Sequence, residues 1–486
     1  MMGLDLLGWA LGGMAMAMLG SAWSPLGGPM GGPLGGPMGG PMGEGPGWAK
    51  VVVNLNKVER RGADRVVGIN LNYLRDLDVN RVEGARPLKA ALGEMGVRWL
   101  RYPGGEKSNF HKWSVPPYRV AKSEALEWYA TVEGERMDFD QYMELVREVG
   151  AEPYVVVGLD STGRSKRSRA EWLADAVAWV RYANVEKKYG VRYWEVGNEN
   201  WMEGRLGAAE TGKVVREFGE AMKSVDPTIL VGTNGKGGVA EWWGPMLGEA
   251  GGTLDFVSMS LYNTWEWGGY QYWVRNPGVD LIGDVRRTLE LVDRFVPVGK
   301  KGTIELVVAE TNSKDYSKGG WAGENSLGHA LVTFETLARL SGEARVAGAM
   351  VWNTRWVKDA EAALDQFYAL GPKNEPLPTG RAVEAWGEAA LPVMVAASVQ
   401  GGGGNVAAYA ARSEDGKEAV VWVVNRGMGG VTVEVEAEGM RAKALRQLSG
   451  TGEGDANPVW REGGLELLVK CPGVSITVVR MERRGD

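Results

Sequence analysis

Eight short apolar runs, each followed by a stretch of helical periodicity, fill residues 66–352, and this alternation is what most restricts the fold. The runs are Val66–Asn72, Val97–Tyr102, Pro153–Leu159, Tyr193–Glu199, Ile229–Gly232, Phe256–Tyr262, Ile304–Glu310 and Ala349–Trp352. Between them, Tyr142, Leu145, Val146 and Val149 recur at the spacing that lines one face of a helix. Val214, Phe218, Ala221, Met222 and Val225 do likewise ahead of Pro227, as do Val285, Leu289, Val292 and Val296. Ser168 and Glu171 have capping-box spacing before the stretch 169–188. Strands that are apolar nearly throughout are covered on both faces, as in a parallel sheet with helices outside it. Eight such units predict an α/β fold of the (β/α)8 TIM-barrel type over residues 63–389. A doubly wound open sheet has the same pattern and stays open at this point.

The periodicity changes after residue 390. Val431, Val433 and Val435 alternate with Thr432, Glu434 and Glu436, and Val474, Ile476 and Val478 alternate with Ser475 and Thr477. Asp415-Gly416 is a hairpin signal between Asn405–Ala411 and Ala419–Val424. Residues 390–486 are therefore expected to form a C-terminal antiparallel β-sandwich. The isolated strand Lys50–Asn54, within residues 48–62, is expected to add an edge to it.

The N-terminus is different again. Leu6 to Trp23 carries no charge, which suits an export signal or short membrane anchor over residues 1–24. Gly20-Ser21-Ala22 supplies small residues for cleavage, although Asp5 stands where a basic flank belongs. The expected location is secreted, periplasmic or membrane-anchored, or cytoplasmic if this segment is not a signal. Residues 25–47 repeat Pro at positions 25, 29, 33, 37 and 41 among glycines, a composition that buries no core and makes a linker.

Composition narrows the chemistry. With His111, His329 and Cys471 alone, the chain cannot build a Cys/His zinc cluster or a disulfide framework, and no metal or cofactor is expected. A net charge of −6 without a clustered basic surface argues against nucleic acid as partner.

In a TIM barrel the active site lies at the C-terminal ends of the strands. The fourth run ends in Trp194-Glu195-Val196-Gly197-Asn198-Glu199-Asn200, and the seventh in Val308-Ala309-Glu310-Thr311-Asn312. Each delivers a carboxylate at its tip, and paired carboxylates across a cleft are what glycosidic-bond hydrolysis requires. Either Glu could instead cap its strand or pair with an Arg. Their joint placement at strands four and seven favours chemistry. Glu195, four residues before Glu199, is expected to make a structural ion pair.

Trp-Glu-Val-Gly-Asn-Glu resembles the acid/base motif of the clan A retaining glycoside hydrolases. Leu100-Arg101-Tyr102-Pro103-Gly104-Gly105, Ala151-Glu152-Pro153-Tyr154 and the run Tyr182–Asn200 resemble family 51, the α-L-arabinofuranosidase family. So does the order of barrel followed by β-sandwich. The resemblance implies that Glu199 is the general acid/base and Glu310 the nucleophile. It further implies that Asn198 binds the sugar 2-hydroxyl, Tyr262 and Arg101 hold Glu310, and Trp352 floors the sugar site.

Three positions depart from the family pattern. The first strand reads Gly68-Ile69-Asn70-Leu71-Asn72 where the family usually supplies a Glu, Leu261 replaces a His, and Thr311-Asn312 follows Glu310 instead of Trp-Asn. These changes leave open a related clan A group and an endo-acting β-glycanase. A carbohydrate-binding protein without catalysis is the alternative of another class. His111 follows the second strand and is a candidate for lining the cleft. Trp265, Trp267, Tyr270, Tyr272 and Trp273 crowd one loop, with Trp201, Trp321 and Trp356 on others, as aromatic platforms for sugar rings would.

Overall fold

The computed structural model describes residues 47–159, 163, 165–202, 206–262, 270–313, 325–356, 368–464 and 468–485. The segment expected to direct export, the linker up to residue 46, Trp265, Trp267 and Trp321 lie outside the described residues. Strand β1 (Gly47–Arg61) opens the fold. The barrel strands are β2 (Val67–Asn70), β3 (Trp99–Tyr102), β4 (Glu152–Val157), β5 (Tyr193–Val196), β6 (Leu230–Asn234), β7 (Phe256–Tyr262), β8 (Glu305–Asn312) and β9 (Val346–Val351). They close in the order β8-β9-β2-β3-β4-β5-β6-β7, and every pairing is parallel. Closure excludes the doubly wound alternative.

The helices outside the barrel follow their sequence signals. Helix α1 is Leu88–Glu94, and α2 (Phe139–Val149) starts at a capping box of Asp138 and Gln141. Helix α3 (Arg169–Val180) starts at the capping box of Ser168 and Glu171, then continues as π-helix through Glu186. The others are α4 (Ala208–Val225), α5 (Ala240–Ala250), α6 (Tyr270–Arg275), α7 (Gly283–Phe295), α8 (Leu327–Gly342) and α9 (Pro378–Gly387).

Inside the barrel Trp99, Tyr154, Val156, Tyr193, Phe256, Val307 and Met350 form a plug of their own, with Tyr154 lying 6.0 Å from the Arg101 guanidinium. Glycines make room for two of its rings, Gly348 beside Trp99 and Gly232 beside Phe256. A Cβ on Gly232 would fall 2.2 Å from the Phe256 ring. The plug makes the barrel a packed cylinder open to chemistry only at one end.

The C-terminal strands are β10 (Val393–Gly401), β11 (Val406–Arg412), β12 (Glu418–Asn425), β13 (Val431–Ala437), β14 (Met440–Ser449), β15 (Val459–Glu462), β16 (Leu468–Cys471) and β17 (Ser475–Arg483). They form one curled sheet in the order β15-β14-β17-β12-β11-β10-β1-β13-β16. Its strands run antiparallel except for β1 with β13. Strand β1 is thus not an edge: it pairs with β10 on one side and β13 on the other. Its alternating Ala49, Val51 and Val53 are buried among Val393, Val395, Val421 and Val433, which is why an interior place is favoured. The sheet docks on α8 and α9, where Trp386 and Trp422 stack at 4.6 Å and Trp422 Nε1 donates to the Ala385 carbonyl.

Candidate active site

Strand β7 organises the barrel mouth. Residues 258, 260 and 262 point to the same face, as alternate residues of a strand must. The Ser258 hydroxyl donates to Glu195, Ser260 Oγ donates to Glu199 Oε1 at 2.7 Å, and the Tyr262 hydroxyl donates to Glu310 Oε2 at 2.8 Å. One strand therefore holds three carboxylates, delivered by β5, the turn after it, and β8.

Arg101, on β3 and 1% exposed, faces this row. Its guanidinium lies 2.8 Å from Glu195 Oε2 and 2.9 Å from Glu310 Oε1. It also donates to the side-chain oxygens of Asn70 at 3.0 Å and Asn198 at 2.8 Å. Burial works against the cation, but Glu195 and Glu310 outweigh it and hold Arg101 above its ordinary value. The contact through Asn198 Oδ1 turns the amide NH2 the other way.

The turn carrying Glu199 is built for close approach. Gly197 has φ 77°, and Asn200 packs so tightly against it that a Cβ would lie 2.1 Å from Asn200 Oδ1. Asn234 ties the turn down, accepting from Asn200 N at 2.6 Å and donating to the Gly197 carbonyl at 2.8 Å. Glu199 itself has φ 43°, a left-handed conformation uncommon for a residue with a side chain. Opposite, Gly105 in the loop after β3 has φ 36°, and a Cβ there would fall 2.2 Å from the Trp352 ring and 3.2 Å from Glu310 Oε1. Glycine lets this loop press on both the indole and the carboxylate.

Glu199 and Glu310 have unequal surroundings. Burial, followed by the charge of Glu310, pushes Glu199 up to about 8, and the Ser260 hydroxyl only partly opposes this. Burial holds Glu310 above its ordinary value as well, although Arg101, Tyr262 and Lys107 oppose it there. The proton shared by the pair sits on Glu199.

The structure brings Glu199, Glu310, Asn198, Arg101, Tyr262 and Trp352 together at one end of the barrel. Glu195 makes the ion pair expected of it. His111 is elsewhere: it is buried against Tyr73, Tyr102 and Trp179, with Nε2 3.2 Å from the Tyr102 hydroxyl and 3.0 Å from Ser123 Oγ. Burial pushes its imidazole down to about 3, so it sits neutral in that aromatic core. Tyr270 and Trp273 are not open platforms. Trp273 is buried under the Arg426 guanidinium at 4.7 Å, and the Tyr270 hydroxyl donates to the Arg426 carbonyl at 2.7 Å. Ser260 and Lys107 escaped the sequence reading. The alternation of Ser258, Ser260 and Tyr262 would have found the first, whereas a lysine in a loop carries no such signal. Among the described residues, no cluster of three or more His, Cys, Asp or Glu could hold a metal ion, and no helix is long and apolar enough to cross a membrane.

Residues 91–267 match the family model described as the alpha-L-arabinofuranosidase 1 domain, a span that holds Arg101, Asn198, Glu199 and Tyr262 but not Glu310. An intracellular exo-alpha-(1->5)-L-arabinofuranosidase of Streptomyces lividans is 30% identical over 188 residues, 35% of this chain and 28% of that protein. An alpha-L-arabinofuranosidase C of Emericella nidulans is 30% identical over 174 residues, 31% of this chain and 32% of that protein. The matched segments thus span about a third of these relatives' length. Among solved structures, a family 51 α-L-arabinofuranosidase from Thermotoga petrophila covers 89% of this chain at TM-score 0.66 and 19% identity, over 100% of its own length. A family 44 xyloglucanase from Paenibacillus polymyxa covers 89% at TM-score 0.61 and 13% identity, over 99% of its length, so the architecture is shared beyond one activity. In fold the chain is similar to the family 51 glycoside hydrolases along nearly its whole described length, and in sequence to arabinofuranosidases over residues 91–267.

Proposed function

We propose that this chain is a retaining glycosidase of the α-L-arabinofuranosidase type, acting on arabinofuranosyl units of polysaccharides. Glu310 is its nucleophile and Glu199 its acid/base. The observation that carries the reading is the unequal environment of the two carboxylates. Glu310 is held by a guanidinium and a phenol, and Glu199 is held protonated by burial and by the charge of Glu310.

The chemistry follows from that inequality. A Glu310 oxygen attacks the anomeric carbon while Glu199 gives its proton to the departing glycosidic oxygen, and the C–O bond to the leaving group breaks. The glycosyl ester that forms neutralises Glu310, which removes the charge that kept the Glu199 proton in place. Glu199, now a carboxylate, takes a proton from water as the water oxygen displaces Glu310 from the anomeric carbon. Two inversions give net retention. Arg101 and Tyr262 stabilise Glu310 both as nucleophile and as second leaving group. The NH2 of Asn198 is placed to meet a sugar hydroxyl whose contact strengthens in the transition state.

Hydrolysis of nitrophenyl α-L-arabinofuranoside, followed by proton NMR of the first-formed sugar, tests this. Release of arabinose with retained configuration is expected. An inverted product refutes the double displacement. Retention of polysaccharide without turnover of any nitrophenyl glycoside replaces the enzyme with a sugar-binding protein.

A further inference from the structure

Lys107 is fully buried, and its ammonium has no hydrogen-bonding partner among the described residues. A buried cation without such partners is costly, so its retention needs a reason. Its setting supplies one. The loop that lays Gly105 against Trp352 and Glu310 turns at Glu106–Phe110 and sends Lys107 Nζ to 4.6 Å from the Trp352 ring centre and 4.4 Å from that of Trp356. Four charges act on it: Glu310 on β8, Asp76 after β2, Arg101 on β3 and Glu106 in its own turn. Asp76 is already engaged by the Asn72 N–H, the Thr354 hydroxyl and the Arg355 guanidinium. Glu310 is the foremost attraction.

We infer that Lys107 is a positioning residue for the proposed nucleophile: its ammonium, held on the faces of Trp352 and Trp356, serves Glu310 as a second cation beside Arg101 and fixes the Trp352 indole. The inference rests on the reading of Glu310 given above. Arg101 contacts both Glu195 and Glu310, so one guanidinium serves two carboxylates. Lys107 makes up the difference through space, where low polarity lets charge act at longer range. Burial pushes Lys107 down to about 7, against the pull of Glu310 and Asp76, so the cation is present on the acid side of neutrality, where Glu310 is most at risk of protonation.

The test compares Lys107→Met with Lys107→Arg by the pH profile of kcat/KM on nitrophenyl α-L-arabinofuranoside, with thermal melts confirming that both fold. Removing a cation raises a neighbouring carboxyl pKa. The acid limb of Lys107→Met is expected to move up by about one pH unit, giving roughly tenfold less activity below that limb and little change on the plateau, with the loss in kcat rather than KM. Lys107→Arg is expected to return the limb toward wild type. An unmoved acid limb, or an equal loss at every pH, overturns the inference. If Lys107→Met does not fold, Lys107→Gln against Lys107→Arg makes the same comparison. Glu310→Gly separates the two readings. If it abolishes turnover while the limb in Lys107→Met stays put, only the role of Lys107 falls. If Glu310→Gly retains turnover, both fall.

Discussion

Two buried arginines sit at opposite tasks in this molecule. Arg426, after β12, meets Glu335 on α8 through Nε at 2.7 Å and Nη2 at 2.5 Å, and the Tyr409 hydroxyl completes Glu335 at 2.9 Å. Arg339 lies 3.7 Å from the same carboxylate, so two cations face Glu335, and its pair with Arg426 pins the curled sheet to the barrel. Arg101 faces two carboxylates, Glu195 and Glu310, and shares its remaining donors with two amides. In the first cluster the cations outnumber the carboxylate, which leaves no acid to titrate and suits a joint. The second sets two carboxylates on one guanidinium, and the charge of Glu310 adds to burial in keeping the proton on Glu199. The same ion pair therefore holds or reacts according to how many carboxylates its guanidinium must serve.

The sharpest way to break the comparison is to remove one of the two carboxylates that Arg101 serves. Glu310→Gly should abolish turnover, on the order of four or more decades in kcat, because the group forming the covalent bond is gone. Azide should restore activity with an inverted product, and circular dichroism should show an intact fold. Normal activity in this variant would refute the assignment. The next effect belongs to Glu199. Glu199→Gln should lose roughly 10²–10⁴-fold on substrates with poor leaving groups and much less on nitrophenolates, which need no proton. In the wild type the basic limb of kcat/KM should fall near pH 8, where Glu199 releases its proton.

Stability sharpens the same point with its sign. The folded carboxyl of Glu199 titrates above its unfolded value, so between about 4.5 and about 8 the folded state holds a proton that the unfolded chain releases. Stability from this group therefore falls as pH rises through that window. Glu199→Gln should melt above the wild type, by a margin that widens from pH 5 to pH 8. Differential scanning calorimetry at both pH values reads it, and a constant margin would contradict the raised pKa.

At the Glu335 cluster the outcome reverses. Glu335→Ala strands the Arg426 cation in a buried site, which costs about 3–5 kcal/mol. The melting temperature should drop by several degrees, while kcat/KM per folded molecule on nitrophenyl α-L-arabinofuranoside stays unchanged. Lost activity without lost stability would mean that the joint also tunes the site.

What was legible in sequence followed from local rules. Periodicity and capping boxes gave the barrel because each β/α unit is specified by its own residues. Glu199 and Glu310 were legible because a strand tip fixes where a side chain goes. Partners distant in sequence were harder. Whether β1 lies at an edge or inside depends on β10 and β13, hundreds of residues later. Aromatics among glycines read alike whether they face sugar or, as with Trp273, a buried arginine. Lys107 carries no local signal of burial, which depends on tertiary packing that brings Trp352 and Trp356 onto it.

The smallest expected effect concerns the residues ahead of β1. Among the described residues, both arginine clusters are assembled from the chain beyond Gly47. The repeat of Pro25, Pro29, Pro33, Pro37 and Pro41 among glycines has no apolar periodicity with which to bury a face. Deleting residues 1–45 should leave kcat/KM and the melting temperature as they are. Deletion through residue 55 should not, because it removes Ala49, Val51 and Val53 from the interior of the sheet that Arg426 anchors. A shorter deletion that lowers the melting temperature would give the N-terminal stretch a packing role its composition denies. Export by the same segment is tested separately: if residues 6–23 direct it, N-terminal sequencing of native protein should find a start near Trp23, and recovery of Met1 from a soluble cytosolic fraction would refute it.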